Sequence, residues 1–280
     1  MGVCLRWVVA LRPEAQAVID RYRLVQSKEP GALYPIFCSA EGDIELIISG
    51  IGRSNAAGAS GYLAGRGGAG ASACGWINFG IAGSGELNYG EAFLASKLES
   101  DGESQSWYPP AVWPRRVDLP RRVIRTVDSP VTEYSEVGSL VEMEAAGYYP
   151  VALRATSSEL CQVLKVVSDD PGHDIADINK SQVTSLCHSG LDQADAWITA
   201  FRDLVEEEQR RLSDPPGYLE WSESLRLSVT ERHQLRRLLQ QWQALNPEER
   251  SSPQLDGLDT SNGKACLKAL RAMISQLRGA

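Results

Sequence analysis

Residues 3–10 (VCLRWVVA) are apolar apart from Arg6, the pattern of a strand buried on both faces, and Pro13-Glu14 then opens a helix to about Tyr22. LYPIFCSA (33–40) and DIELIISG (43–50) predict two strands joined by a turn at Glu41-Gly42-Asp43. Gly50 to Ser54 reads as a tight turn into the small-residue helix NAAGASGYLA (55–64). AGRGGAGASACG (64–75) has the composition of a connector and lacks the GxxxxGK[ST] spacing of a phosphate cradle. CGWINFGIA (74–82) and GEAFLASKLES (90–100) are predicted strands. The first of them runs out into Gly80-Ile81-Ala82-Gly83-Ser84-Gly85, where small residues let a ligand approach the backbone.

DGESQSWYPPAVWPRR (101–116) is polar, proline-rich and aromatic, a long surface loop or lid. RRVIRTVDSPV (121–131) predicts a strand and turn, Glu142–Ala155 a helix opened by an acidic triplet, and Val163–Val167 a strand ending in Ser168-Asp169-Asp170. Beyond Asp177 the period becomes helical, with Trp197, Phe201 and Leu204 on one stripe and Pro215-Pro216-Gly217 as a stop. Two more helices follow within 228–249 and 261–279. Strands alternating with helices indicate a layered α/β fold with a central sheet, and the expected organisation is an α/β domain over 1–188 with a helical extension over 189–280.

The chain has 280 residues, 43% of them hydrophobic, and a formal net charge of −8. That length buries a sizeable core, and the acidic balance argues against a general nucleic-acid or anionic-membrane binder. No run approaches the roughly 18 uninterrupted apolar residues of a membrane span. The N-terminus reads as a first strand rather than a signal peptide, and Arg6 stands where myristoylation wants Ser or Thr, so Cys4 is not read as part of a lipid anchor. The six cysteines are scattered without a CxxC pair, and the three histidines lie away from ligand spacing. Reduced thiols, a cytoplasmic location and no metal site are expected.

The stretch Gly138–Asp170 carries the candidate chemistry. It places Glu142, Met143 and Glu144 at a helix start and Asp169 at the exit of a buried strand, where open α/β sheets put their ligands. Two carboxylates in different surroundings can divide the work, one holding hydroxyls and the other moving a proton. Each also has a plainer reading: Asp169 and Asp170 as loop caps, Glu144 and Glu14 as first-turn acids favoured by the helix dipole, and Met143 as core.

Five pieces in order, ALRPEAQ (10–16), SGIGRSNAA (49–57), INFGIAGSGEL with GEAFLAS (77–96), VEMEAAG (141–147) and VVSDD (166–170), resemble the nucleoside phosphorylase and nucleosidase superfamily. The C-terminal ~90 residues lie outside the likeness. The resemblance implies a three-layer α/β/α fold with a central mixed, twisted sheet. It implies Asp169 as the acid protonating purine N7 with Ser168 orienting it, Glu144 on the ribose 2′- and 3′-hydroxyls, Met143 against the sugar, and Glu14 activating water. Ile81, Ala82, Gly83 and Val131 fall at substrate-binding positions, and Arg53 and Lys165 at a possible anion or nucleophile site. No cofactor is implied, only inorganic phosphate as co-substrate if the enzyme is a phosphorylase. A small-molecule nucleoside is the implied partner, and a homodimer the implied assembly.

Asn78 stands where the hexameric phosphorylases carry a phosphate-binding Arg, which, with Glu14, favours water over phosphate. Ile81 replaces the usual Ser or Thr beside the strand-end Gly, and Asp128-Ser129-Pro130-Val131 lacks the aromatic that stacks on the purine. Trp107, Tyr108 and Tyr134 are candidates for that ring, a Trp in a proline-rich loop reading equally as one that packs the loop down, and the Trp/Pro loop would cover a bulky 5′-group. Three functions stay open: a nucleosidase acting on a purine, chiefly adenine, nucleoside; a phosphorylase; and a scaffold that kept the fold without efficient catalysis. On the helix ERHQLRRLLQQWQ, basic Arg232, His233, Arg236 and Arg237 are offset by Glu206, Glu207, Glu208, Glu231, Glu248 and Glu249. Leu235, Leu238, Leu239 and Trp242 form an apolar face, so packing rather than nucleic-acid binding is expected there.

Overall fold

The computed structural model describes residues 5–66, 73–86, 88–131, 138–246, 253 and 262–279. Cys4, Leu87, Tyr134, Glu248, Glu249 and the 67–72 part of the glycine-rich run lie outside the described residues. Among the described residues nine strands form one mixed sheet: β1 (Leu5–Val9), β2 (Val25–Gln26), β3 (Ile36–Cys38), β4 (Ile44–Ile48), β5 (Gly75–Ser84), β6 (Ala92–Ser100), β7 (Arg121–Thr126), β8 (Ser139–Glu142) and β9 (Cys161–Asp169). Their order is β2-β3-β4-β1-β5-β8-β7-β6-β9, and β9 returns to pair with β5. The sheet is therefore open on the β2 side and closed into a five-stranded ring on the other.

Alternation along β1 shows how the layers arise. Leu5, Trp7 and Val9 join the cluster covered by α1 (Arg12–Tyr22), α4 (Lys180–Gln193) and α5 (Asp195–Leu212). Val8 joins the opposite cluster, under α2 (Arg53–Gly65) and α3 (Ala145–Ala155). Both faces of β1 and β9 are buried, which is why neither alternates in sequence. Cys161 and Cys187 pack in these clusters as small hydrophobes.

Three sequence-based expectations change. Glu142 is the last residue of β8, and α3 begins at Ala145 with Glu144 as its N-cap; a four-residue strand is too short to show a period. The 101–116 segment is not a lid. Trp107 exchanges backbone hydrogen bonds with Leu98, and Trp113 packs edge-on against Trp197 and Phe201 of α5 at 5.9 and 6.1 Å. The 188/189 boundary falls inside α4, because Trp197 and Phe201 complete the first core, and the chain divides instead into Met1–Arg211 and Leu212–Ala280.

The second unit has its own core. α6 (Tyr218–Ser224), α7 (Val229–Leu245) and α8 (Gly263–Gly279) enclose Trp221, Leu235, Leu238, Leu239, Leu267, Leu270 and Ile274. The expected apolar face of α7 is thus buried, and its Arg236 pairs with Asp214 and lies over Tyr218. Among the described residues no helix is long and apolar enough to cross a membrane.

α2 and α3 meet at a point where only glycine fits. A Cβ on Gly147 would stand 2.0 Å from the Arg53 carbonyl oxygen, a backbone atom that cannot swing aside. Gly147→Ala is expected to lose about 1–3 kcal/mol of stability, the usual range for overpacking, read as a lower Tm and urea midpoint. An unchanged midpoint would show that the helices part freely here.

Candidate active site

Strands β1, β5 and β9 run parallel, and a pocket opens beyond their C-terminal ends. Ala10, Leu11 and Glu14 line it from the β1–α1 turn, Ile81, Ala82 and Gly83 from β5, and Ser168 and Asp169 from β9. Val127, Pro130, Val131, Val141, Glu142, Met143 and Glu144 come from the far side of the ring, with Ile51 and Ile175 completing the wall. Glu14, Ile81, Ala82, Gly83, Val131, Met143, Glu144, Ser168 and Asp169, the residues expected at catalytic and substrate-binding positions, all line it. Arg53 and Lys165, expected as anion ligands, do not line the pocket.

An irregularity in the β5–β9 ladder aims the acid. Ala82 pairs with Val167 and Gly83 with Asp169, leaving Ser168 as an extra residue. Neighbours on a regular strand point to opposite faces, but at a bulge the alternation breaks, and Ser168 and Asp169 both reach the pocket. The Ser168 hydroxyl donates to Asp169 Oδ1. Burial, then the nearby Asp170 and Asp174, push the Asp169 carboxyl up to about 6. Asp170 has a different task. It accepts backbone N–H bonds from Asn88, Tyr89 and Gly172 and lies 2.9 Å from His173 Nδ1. The loop-cap reading is right for Asp170, which ties the β5–β6 turn to the chain leaving β9.

Glu14 joins two elements. As the N3 residue of α1 it accepts the Leu11 N–H at 2.8 Å, a capping interaction. Its other oxygen accepts the Ile81 N–H at 2.9 Å. The approach needs glycine at position 80, where a Cβ would lie 2.6 Å from Glu14 Oε1. Glu14 is 3% exposed. Burial pushes it up to about 7, against the opposing pull of Lys165 and the Ile81 N–H.

The third carboxylate stands at the head of α3. Glu144 Oε1 accepts the Gly52 N–H at 2.9 Å. Burial raises its pKa, Lys165 offsets part of the rise, and Glu142 adds to it. Glu142 itself accepts from the Thr126 hydroxyl and the N–H groups of Glu144 and Ala145. It thus satisfies donors that the first turn of α3 cannot satisfy internally. Lys165 lies behind the wall, 1% exposed, with Nζ 2.8 Å from Glu142 and 3.7 Å from Glu144. Arg53 is turned to Asp128, Glu103 and Ser100, which pins the loop bearing Ile51 to the strand exit bearing Pro130 and Val131.

Trp107 packs on the second core cluster and Tyr108 is 66% exposed beneath Lys97, so neither supplies a pocket ring. Sequence reading missed Leu11, Ile51, Val127 and Ile175. Leu11 and Ile51 even lie inside the quoted motifs, but apolar residues in turns carry no period that would mark them. No cluster of His, Cys, Asp and Glu suited to a metal occurs among the described residues.

No protein-family model matches the sequence, and no curated protein is significantly similar to it. Solved structures share the fold. A 5′-methylthioadenosine/S-adenosylhomocysteine nucleosidase from Helicobacter pylori, with 5′-methylthioadenosine in its active site, superposes with a TM-score of 0.54 at 16% identity, covering 71% of this chain and 99% of that one. The Colwellia psychrerythraea nucleosidase bound to adenine gives 0.52 at 14% identity over 73% and 96%. Futalosine hydrolase from Helicobacter pylori gives 0.51 at 17% over 70% and 97%. The chain has the nucleoside phosphorylase and nucleosidase fold.

Because Glu14 has a higher pKa folded than unfolded, the folded state keeps a proton that the unfolded chain has released between the ordinary carboxylate range and about pH 7. The resulting stability is present at low pH and is lost as pH rises through about 7. Between pH 5 and 8 the wild type should lose about 3 kcal/mol more unfolding free energy than Glu14→Gln, measured by urea unfolding. Parallel losses in the two proteins would refute this.

Proposed function

We propose that this protein hydrolyses the N-glycosidic bond of a purine nucleoside, with adenine as the expected base. The observation that carries this reading is the convergence of Glu14, Glu144 and Asp169 on one pocket at the ends of three parallel strands, in a fold shared with structures bound to 5′-methylthioadenosine and adenine.

Breaking the bond leaves positive charge on the ribose and negative charge on the base. Asp169, at about 6, keeps a protonated fraction near neutrality and donates to N7 of the departing purine. Ser168 donates to one of its oxygens, so the acidic proton resides on the other. Glu144, anchored by the Gly52 N–H, accepts the ribose hydroxyls, and Met143 covers the sugar. Glu14, at about 7, is matched to base catalysis near neutral pH. Each of its oxygens takes one backbone N–H and retains a second acceptor site for the attacking water. Val127, Pro130 and Val131 replace the missing aromatic with an apolar wall beside the base.

Phosphorolysis fits less well. The described residues lining the pocket include no Lys, Arg or His, and a phosphate would face carboxylates without a partner. Lys165 and Arg53 are engaged elsewhere. The phosphate-dependent reading predicts release that requires phosphate.

The test is release of free adenine from adenosine, 5′-deoxyadenosine, 5′-methylthioadenosine and S-adenosylhomocysteine, with and without phosphate. Release is expected without phosphate, and Asp169→Asn should lower kcat/KM by about 10²–10⁴-fold, the usual contribution of a general acid. The kcat/KM profile should be bell-shaped with its maximum midway between the two carboxyls, at about pH 6.5. Strict dependence on phosphate would convert the reading to a phosphorylase. Release of no base from any of the four would remove the adenine-nucleosidase assignment.

A further inference from the structure

We propose that Lys165, held by Glu142, is a positioning residue that supplies the buried positive charge against which Glu144 and Glu14 are set. Neither Lys165 nor Glu142 is needed to touch substrate for this role. It rests on the nucleosidase reading only for its kinetic readout.

The geometry separates three carboxylates that look alike in the sequence. Glu142 is the committed partner. It lies 2.8 Å from Lys165 Nζ and also accepts from Thr126 and the N–H groups of Glu144 and Ala145. Its two oxygens are thus taken up by the lysine, a hydroxyl and two backbone N–H groups. Glu144 stands farther off, at 3.7 Å. Glu14 lies against Gly80, the residue paired with Lys165 across the β5–β9 ladder, and keeps its oxygens for Leu11 and Ile81. One cation thus serves three acids, one of which holds it at contact distance.

The consequence is electrostatic. Lys165 and Glu142 cancel, so a full negative charge on Glu14 or Glu144 rests on backbone N–H donors and on what remains of the lysine's field. The titratable groups around Lys165 are Glu142 from β8, Glu144 from the head of α3, Glu14 from α1 and Cys187 from α4. Those around Glu14 are Lys165, Glu144 and Cys187. Burial keeps the Cys187 thiol neutral by raising its pKa well above the ordinary value, so carboxylates and lysine decide the balance. Burial alone would lower Lys165, but the three glutamates outweigh it and hold its pKa above the ordinary value.

The two partners of the pair therefore act on Glu14 in opposite directions. Lys165→Met removes the opposing charge and should raise the Glu14 titration by about one pH unit, the low end of what a nearby opposite charge does. Glu142→Gln frees the lysine and deletes a negative charge, so it should lower the same titration. Lys165→Arg retains the charge and should restore it. With Glu14 near 7 and Asp169 near 6, the form with Glu14 ionised and Asp169 protonated is lost above the Glu14 pKa. The alkaline limb of kcat/KM therefore reports Glu14.

The experiment follows the Glu14 carboxyl by carbon NMR, assigned through its disappearance in Glu14→Gln, beside the pH profile of free-base release. An upward shift in Lys165→Met, a downward shift in Glu142→Gln and a return in Lys165→Arg are expected from both probes. A purely structural role would lower activity and Tm without opposed shifts. Unmoved titrations, or shifts of one sign in both variants, would overturn the proposal. If Lys165→Met fails to fold, the downward shift in Glu142→Gln, or its absence, decides the matter. A wild type that releases no base removes the nucleosidase reading, while the carboxyl titration still decides this one.

Discussion

β5 has to serve both the open part of the sheet and its closed ring. Its first half, Gly75–Phe79, lies between β1 and β9 as the centre of a parallel sheet. Its end, Gly83–Ser84, pairs antiparallel with β8. The strand changes neighbours at Gly80–Gly83, the stretch against which the pocket forms. A side chain at position 80 would strike Glu14, so the glycine there is a requirement of the junction. Closing β8, β7 and β6 back onto β9 brings residues of distant segments to the exits of the parallel strands.

Once the ring is closed, a buried ionic cluster becomes unavoidable. The head of α3, the end of β8 and the middle of β9 meet where Glu142, Glu144 and Lys165 are all less than a tenth exposed. Breaking such a cluster from one side leaves an uncompensated charge, which commonly costs 3–5 kcal/mol, whereas the intact pair contributes little net stability. Its worth lies in fixing where the remaining carboxylates point and how readily they ionise. The fold satisfies the polar groups with backbone donors, through Gly52, Leu11 and Ile81.

The same economy of cations shapes what the pocket accepts. Arg53 is spent on Asp128 and Glu103, which fastens two walls together, and Lys165 is spent on Glu142. The space left between them is lined by aliphatic side chains and by acids. Such a surface suits a neutral, partly apolar ligand with hydroxyls to offer and opposes a multiply charged anion.

Much of this was legible in the sequence. Apolar runs marked β1, β5 and β9, because strands buried on both faces leave no alternation to confuse with a surface. Pro13 marked the start of α1, and the glycines after Phe79 marked a close approach. The family resemblance carried by five short motifs implied one site for Glu14, Glu144, Ser168 and Asp169. The pattern alone did not separate Asp169 from Asp170, and only the resemblance singled out Asp169, since adjacent acids differ through a bulge created by pairing with β5. Glu142 looked like a helix residue because β8 is too short to carry a period. Trp107 and Trp113 looked like a lid because aromatic residues in a proline-rich loop read alike whether they cover a ligand or a core. Composition and periodicity are local, and they determined the elements, their order and the acids at their ends. Which acid faces the pocket, which caps a helix and which cation is consumed by an ion pair were decided by distances between segments far apart in the chain, and those exist only once the sheet has closed.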